Sequence, residues 1–237
     1  MKRVSKTKDN LRQFLTVKNE TLTSADLYFY GDIVSNWWGA WDNADQYPEA
    51  IRDFLKDKDG KALNIYINSG GGSVFAGIAI YNMLRRHKGY KTVHVDGMAA
   101  SIASVIALAG DKIIVPANAF IMIHKPWNFC EGNANDLRKM ADDMDVIEEG
   151  IINVYKDHLA EGASLDDVRR MVDEETWLCG EEAAKYFNIE VGEAATYAAK
   201  ITDRMKAYAK IPEQLINPNK IKDQINRIAI SAIAKGV

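Results

Sequence analysis

The sequence predicts an α/β fold in which parallel strands are joined by crossover helices, and two observations carry that prediction. The first is a unit formed by Ala62-Leu63-Asn64-Ile65-Tyr66-Ile67, the turn Asn68-Ser69-Gly70-Gly71-Gly72-Ser73 and the stretch Val74 to Leu84, which reads as strand, turn and helix. The second is a unit of the same kind about thirty residues later: Lys91 to Asp96, then Gly97-Met98-Ala99-Ala100-Ser101, then the small apolar run Val105-Ile106-Ala107-Leu108-Ala109 ending at Gly110. Consecutive units of this type imply parallel strands, because parallel neighbours need a crossover of a dozen or more residues, usually a helix.

Composition fits one domain with appendages. The 237 residues suffice for a substantial core, and shares of 47% hydrophobic and 27% charged residues are those of a soluble globular protein. A net charge of −3 gives no electrostatic case for nucleic acid as a partner. No apolar run approaches the roughly 20 residues that span a bilayer, and the basic start Met1-Lys2-Arg3 is not followed by an apolar segment, so neither a membrane span nor a secretory signal is expected. Cys130 and Cys179 are isolated and lack metal-type spacing. A reducing, cytoplasmic setting without a structural metal follows.

Residues 1–25 read as a polar arm with one possible strand at Phe14 to Val17. Residues 26–194 form the domain, and residues 195–237 a helical appendage interrupted at Pro212 and Pro218. Within the domain, Leu27-Tyr28-Phe29-Tyr30 is a strand closed by Gly31-Asp32. Trp37-Trp38-Gly39-Ala40-Trp41 is either a loop covering the domain edge or a docking surface, since Trp is favoured at interfaces. Asp42, Asn43 or Asp45 is a candidate cap for a helix from Pro48 to Lys56. After Gly110, Lys112 to Val115 and Ala119 to Ile123 are strands, the second leading to His124-Lys125-Pro126.

Gly132-Asn133 opens a long helix. Leu137, Met140, Met144, Ile147, Ile151 and Val154 recur in three- and four-residue steps, a heptad-like seam. A helix of about 25 residues exceeds the usual globular length, so it protrudes against another subunit or lies across its own sheet. Ser164 takes the N-cap position of a short helix with Asp167 in the capping-box slot. Glu174 to Cys179 is extended, and Glu181 to Phe187 is a further short helix.

Ser101 follows a strand and stands at a helix start, where free backbone N–H groups face developing negative charge. That suits a nucleophile, although small residues here also serve close helix packing. His124 ends a later strand, where a histidine is a general base or a structural residue. Acidic residues follow at Asp173, Glu174 and Glu175, and a glycine-rich turn precedes the set. A hydroxyl, an imidazole, a carboxylate and N–H donors are the parts that acyl transfer needs.

These pieces, in this order, resemble the Clp-type serine peptidases, the family of the self-compartmentalised Clp protease proteolytic subunit. The resemblance rests on Tyr28-Phe29-Tyr30-Gly31-Asp32-Ile33; Ile67-Asn68-Ser69-Gly70-Gly71-Gly72 with Ala76-Gly77 and Ile80-Tyr81; Gly97-Met98-Ala99-Ala100-Ser101; Met122-Ile123-His124-Lys125-Pro126; and Trp177-Leu178 with Glu182-Ala183. It implies the superhelix of strand–turn–helix units shared with crotonases, and a long handle helix over 133–159 that joins stacked rings. It further implies Ser101 as nucleophile, His124 as general base and the N–H groups of Gly71 and Ile102 as oxyanion hole, with no cofactor and with polypeptide as substrate. Peptide would bind as an added strand beside the glycine-rich turn.

Two positions depart from the family pattern. Glu175 stands where the family has its aspartate, with Asp173 as the nearest alternative, and Gly70 replaces the proline usual before the two glycines. The Trp-rich insertion and the tail resemble the Clp-related head maturation proteases of phages and prophages, whose substrates are scaffold or capsid proteins. The alternatives are a housekeeping subunit working with an ATP-dependent unfoldase, an inactive ring-forming pseudoprotease, and a crotonase-type acyl-CoA enzyme.

Overall fold

The computed structural model describes residues 20–36, 45–194 and 208–212. The Trp37–Trp41 patch, Phe14 to Val17, Asp42 and Asn43 lie outside the described residues, as does most of the tail. The strands are β1 (Ser24–Phe29), β2 (Ala62–Ser69), β3 (Lys91–Ala100), β4 (Lys112–Pro116), β5 (Phe120–Ile123), β6 (Thr176–Cys179) and β7 (Glu190–Gly192). The helices are α1 (Pro48–Lys56), α2 (Val74–Arg86), α3 (Ile102–Ala107), α4 (Ala134–Asp157), α5 (Leu165–Asp173) and α6 (Gly180–Ala183).

The expected α/β architecture of parallel strands is present, as a seven-stranded sheet in the order β1-β2-β3-β4-β7, with β5 attached to β3 and β6 to β5. All pairings are parallel except β5 with β6. The long strand β3 forks. Its first half, Thr92 to His94, pairs β4, and its second half, Met98 to Ala100, pairs β5. Side chains before the fork alternate between buried and half-buried, whereas Gly97 to Ala100 are buried throughout, as expected where both faces of a parallel strand are covered.

One sheet face, including Leu27, Phe29, Ile65, Ile67, Val93 and Val95, packs into a single core with Ile80, Leu84, Val105 and Ile106 from α2 and α3. The close approach of those helices depends on Gly77, because a Cβ there would run into the Ile102 side chain. The other face carries a half-buried row in which Tyr28 stacks on Tyr66 at 4.8 Å and Tyr66 on His94 at 5.0 Å between ring centroids.

Several boundaries differ from the sequence reading for identifiable reasons. Tyr47 is the N-cap of α1 and makes no side-chain cap bond, since Pro48 sits in the first turn without an N–H to satisfy. Asp45 instead accepts the Asp32 N–H at 2.9 Å. Ser164 does cap α5, but Asp167 pairs with Arg170 at 2.7 Å instead of closing a capping box. Helix α6 stops at Ala183, short of Phe187, which turns back to pack on Tyr155. Strand β7 had no apolar signal of its own. Its pairing with β4 is reinforced by Lys112 and Glu190 at 2.8 Å.

The long helix spans 24 residues and opens with a capping box between Asn133 and Asp136. Only Ile151, Ile152 and Tyr155 are buried, all toward its C-terminal end. Leu137 and Val146 remain exposed. Among the described residues no helix is long and apolar enough to cross a membrane.

Candidate active site

The fork in β3 assembles the site. Register Ala100↔Met122 places the residues that follow β3 beside the end of β5, and the Ser101 N–H donates to the Met122 carbonyl at 2.9 Å. His124 is the next residue beyond β5. Antiparallel β6 pairs Thr176 with Ile123, so Glu175 enters opposite His124. The glycine-rich turn arrives from β2, whose residue Ser69 pairs with Ala99. Four segments distant in sequence thus meet at one edge.

Ser101 Oγ and His124 Nε2 lie 2.8 Å apart, a hydrogen bond between hydroxyl and imidazole. Ser101 is the N-cap residue of α3 with φ 55° and ψ −130°. Among the described residues, Ser101 and Glu175 are the two non-glycine residues with positive φ, and both belong to this site. Such backbone strain persists only where surrounding contacts impose it. At Ser101 those contacts include the Ser104 hydroxyl, which donates to the Ser101 carbonyl at 2.6 Å and meets the buried Tyr155 hydroxyl at 2.8 Å. Ser104, placed by its spacing one turn into the helix, is therefore a hydrogen-bonding brace as well as a packed residue.

His124 is held below the ordinary histidine value by burial, partly opposed by the charge of Glu175, which pushes it up. A neutral imidazole at neutral pH is the form that accepts a proton.

The candidate acids are engaged elsewhere. Both Glu175 carboxylate oxygens accept backbone N–H groups, from Ala209 at 2.9 Å and Lys210 at 2.7 Å. Asp173 pairs with Lys125 Nζ at 2.9 Å. Among the described residues, neither carboxylate hydrogen-bonds the imidazole. Ser101 and His124 are thus hydrogen-bonded to each other, with the Glu175 carboxylate nearby and turned to the amides of Ala209 and Lys210.

Gly71 has φ 89°, and a Cβ there would come within 2.6 Å of the Ala100 carbonyl and 2.8 Å of Ser101 Cβ. Only glycine fits that approach. Its N–H donates to Ser69 Oγ at 3.1 Å, and Ser69 in turn donates to the Gly31 carbonyl at 2.6 Å. Ile102 opens α3, so its N–H has no intrahelical acceptor.

The tail supplies what the sequence reading missed. Tyr208, buried, sets its ring edge against His124 at 5.2 Å and 78° and packs with Met98, Ala100 and Met122. Its hydroxyl donates to the Gly70 carbonyl, and Lys210 Nζ donates to the Glu174 carbonyl. Nothing local in the sequence marks Tyr208 as a site residue, because His124 and Gly70 lie 84 and 138 residues before it. Ser101, His124 and Tyr208 line a cleft of about 300 Å³ whose outer wall includes Phe75, Trp127 and Met144.

Comparison with known proteins matches residues 48–190 to the Clp protease family. The chain belongs to that family. It is 35% identical over 133 residues to the ATP-dependent Clp protease proteolytic subunit of Bacteroides fragilis strain ATCC 25285, covering 55% of this chain and 63% of that protein. The subunits so named from Bacteroides thetaiotaomicron and Porphyromonas gingivalis strain W83 are 32% identical over 133 residues and 33% over 134, covering 60% and 59% of their lengths. The match thus spans about three fifths of the length of these relatives, and Tyr208 lies beyond the family-matched residues.

Proposed function

We propose that this protein is a serine-type endopeptidase with Ser101 as nucleophile and His124 as general base. The observation that carries this reading is the 2.8 Å contact between Ser101 Oγ and His124 Nε2 at a strained turn entering a helix. In the acylation step His124 Nε2 takes the proton as Oγ attacks the scissile carbonyl, then passes it to the leaving amine. The Ile102 and Gly71 N–H groups are the oxyanion donors, the latter exchanging Ser69 Oγ for the anion. Glu175 acts through its charge, which favours the imidazolium formed during the step. A water activated by the same histidine then releases the acyl group.

Phe75 and Trp127 are exposed at the cleft and suit an apolar side chain of a polypeptide substrate. The bare half of α4, with Leu137 and Val146 exposed, supports assembly of this chain into stacked rings through that helix. An ATP-dependent unfoldase is a partner by analogy with the names of the relatives. Processing of phage scaffold or capsid protein is the finer assignment, resting on the Trp-rich insertion, the Glu175-Thr176-Trp177 segment and the tail.

The engagement of Glu175 by Ala209 and Lys210 favours one second reading, an inactive ring-forming pseudoprotease. A fluorophosphonate probe separates the two. Covalent labelling of the purified chain, lost in Ser101→Ala, is the expected result. An assembled wild-type protein that takes up no probe would sink the peptidase reading and leave the scaffold reading standing.

A further inference from the structure

We infer that Tyr208 is a positioning residue for both halves of the proposed acyl-transfer site, the imidazole and the oxyanion peptide, an inference that rests on the peptidase reading above. Its two contacts do different work. The ring packs nearly perpendicular to the His124 imidazole at 5.2 Å and also meets Trp177 at 6.1 Å and 69°. With the Glu175 oxygens held by Ala209 and Lys210, no carboxylate among the described residues hydrogen-bonds the imidazole, and the tyrosine ring packs against it.

The hydroxyl reaches further. It donates to the Gly70 carbonyl, and the Gly70 C=O and Gly71 N–H belong to one planar trans peptide group. Holding the oxygen of that unit fixes the direction of its N–H, the donor proposed for the oxyanion. A hydrogen bond to the carbonyl also polarises the peptide and strengthens its N–H as a donor. Glycines at 70, 71 and 72 give this peptide no bulky side chain of its own to restrain it, so its orientation is set from outside, at the N–H by Ser69 Oγ and at the carbonyl by Tyr208.

The remaining contacts clamp the segment. Ala209 and Lys210 bond Glu175, Lys210 bonds the Glu174 carbonyl, and Ile211 packs beside Tyr208 in the small cluster with Met98 and Met122. Residues 208–212 are thus a structural part of the site, supplied from beyond the residues that match the family.

The test uses the full chain, wild type, Tyr208→Phe and Tyr208→Ala, with a fluorophosphonate probe and its labelling rate resolved into binding and covalent steps across pH. Phe keeps the ring and removes the anchor on Gly70. The expected result is a covalent step about five- to tenfold slower, the worth of one lost neutral hydrogen bond, with probe binding and the pH midpoint unchanged. Ala is slower still, and its pH midpoint rises toward the ordinary histidine value as burial of His124 is relieved. The charged group acting on His124 there is Glu175.

A fall of less than twofold in Tyr208→Phe, or faster labelling in either variant, would overturn the inference; the second result would make the segment a cover instead. If wild type itself does not label, the peptidase reading fails separately. The imidazole resonance of His124 then decides the positioning role: an upward shift of its midpoint in Tyr208→Ala supports it, and an unmoved midpoint refutes it.

Discussion

Ser101 combines the hydroxyl proposed as nucleophile with one of the two positive-φ backbones found at non-glycine residues among the described residues. Its φ of 55° is held from both sides, by its N–H on Met122 and by the two Ser104 bonds to its carbonyl. Replacement by glycine relieves that strain, whereas alanine keeps it. Ser101→Gly is therefore expected to be more stable than Ser101→Ala by about 1 kcal/mol, read as a shift in urea midpoint at unchanged slope. Equal midpoints would mean that the turn stores no strain. Both variants lose the nucleophile, so any stability gained is set against activity, the usual trade at reactive residues. At this scale the sequence was legible where chemistry is local: Ser101 and His124 stand at strand ends that hydrophobic runs announce. Glu175 was less so, since its carboxylate is oriented by amides 34 and 35 residues further on.

At the scale of elements, helix α4 shows how one periodic pattern serves two purposes. The apolar seam from Leu137 to Val154 is continuous in sequence, yet the structure divides it. Ile151 joins the core with Ile152 and Tyr155, Met144 and Ile147 line the cleft, and Leu137 is left 48% exposed. Periodicity registers the stripe and is blind to what covers it. If a second copy covers the seam on this half, Leu137→Glu with Met140→Glu places charge in that contact and should weaken assembly by at least about tenfold, given roughly 1.5–3 kcal/mol per buried aliphatic side chain. Light scattering should show a smaller species at micromolar concentration, with the helical circular dichroism preserved. An unchanged mass would place the interface elsewhere. Strand β7 is the opposite case: three residues, two of them exposed, that extended pairing with β4 recruits without any signature in their composition.

The molecule as a whole carries its pH response in its histidines. His94, His124 and His158 are each pushed below the ordinary value of 6.5, with burial the largest cause in every case. Each binds its proton more readily unfolded than folded, so the stability they contribute is complete above pH 6.5 and declines as pH falls toward their depressed folded values. Asp96, pushed up mainly by burial, works in the opposite sense, losing stability as pH rises from 3.8 through its raised value. Three groups against one predict a lower urea midpoint at pH 5.5 than at pH 7.5. A midpoint that is flat or rises on acidification would contradict the burial of these rings. The sheet order was legible only in part, since a strand–turn–helix repeat announces parallel neighbours but gives no sign that β3 divides its length between two partners.

The contact of Tyr208 with His124 and Gly70 also sets a schedule. Synthesis proceeds at about 5–20 residues per second, so Tyr208 is added roughly 5 to 20 s after Ser101, over the 107 positions that separate them in the sequence. Through that interval the growing chain holds Ser101 and, later, His124 without the ring proposed to order them. On the peptidase reading, a chain arranged in this way gains its full site only after Tyr208 has been made, well after both Ser101 and His124 are in place.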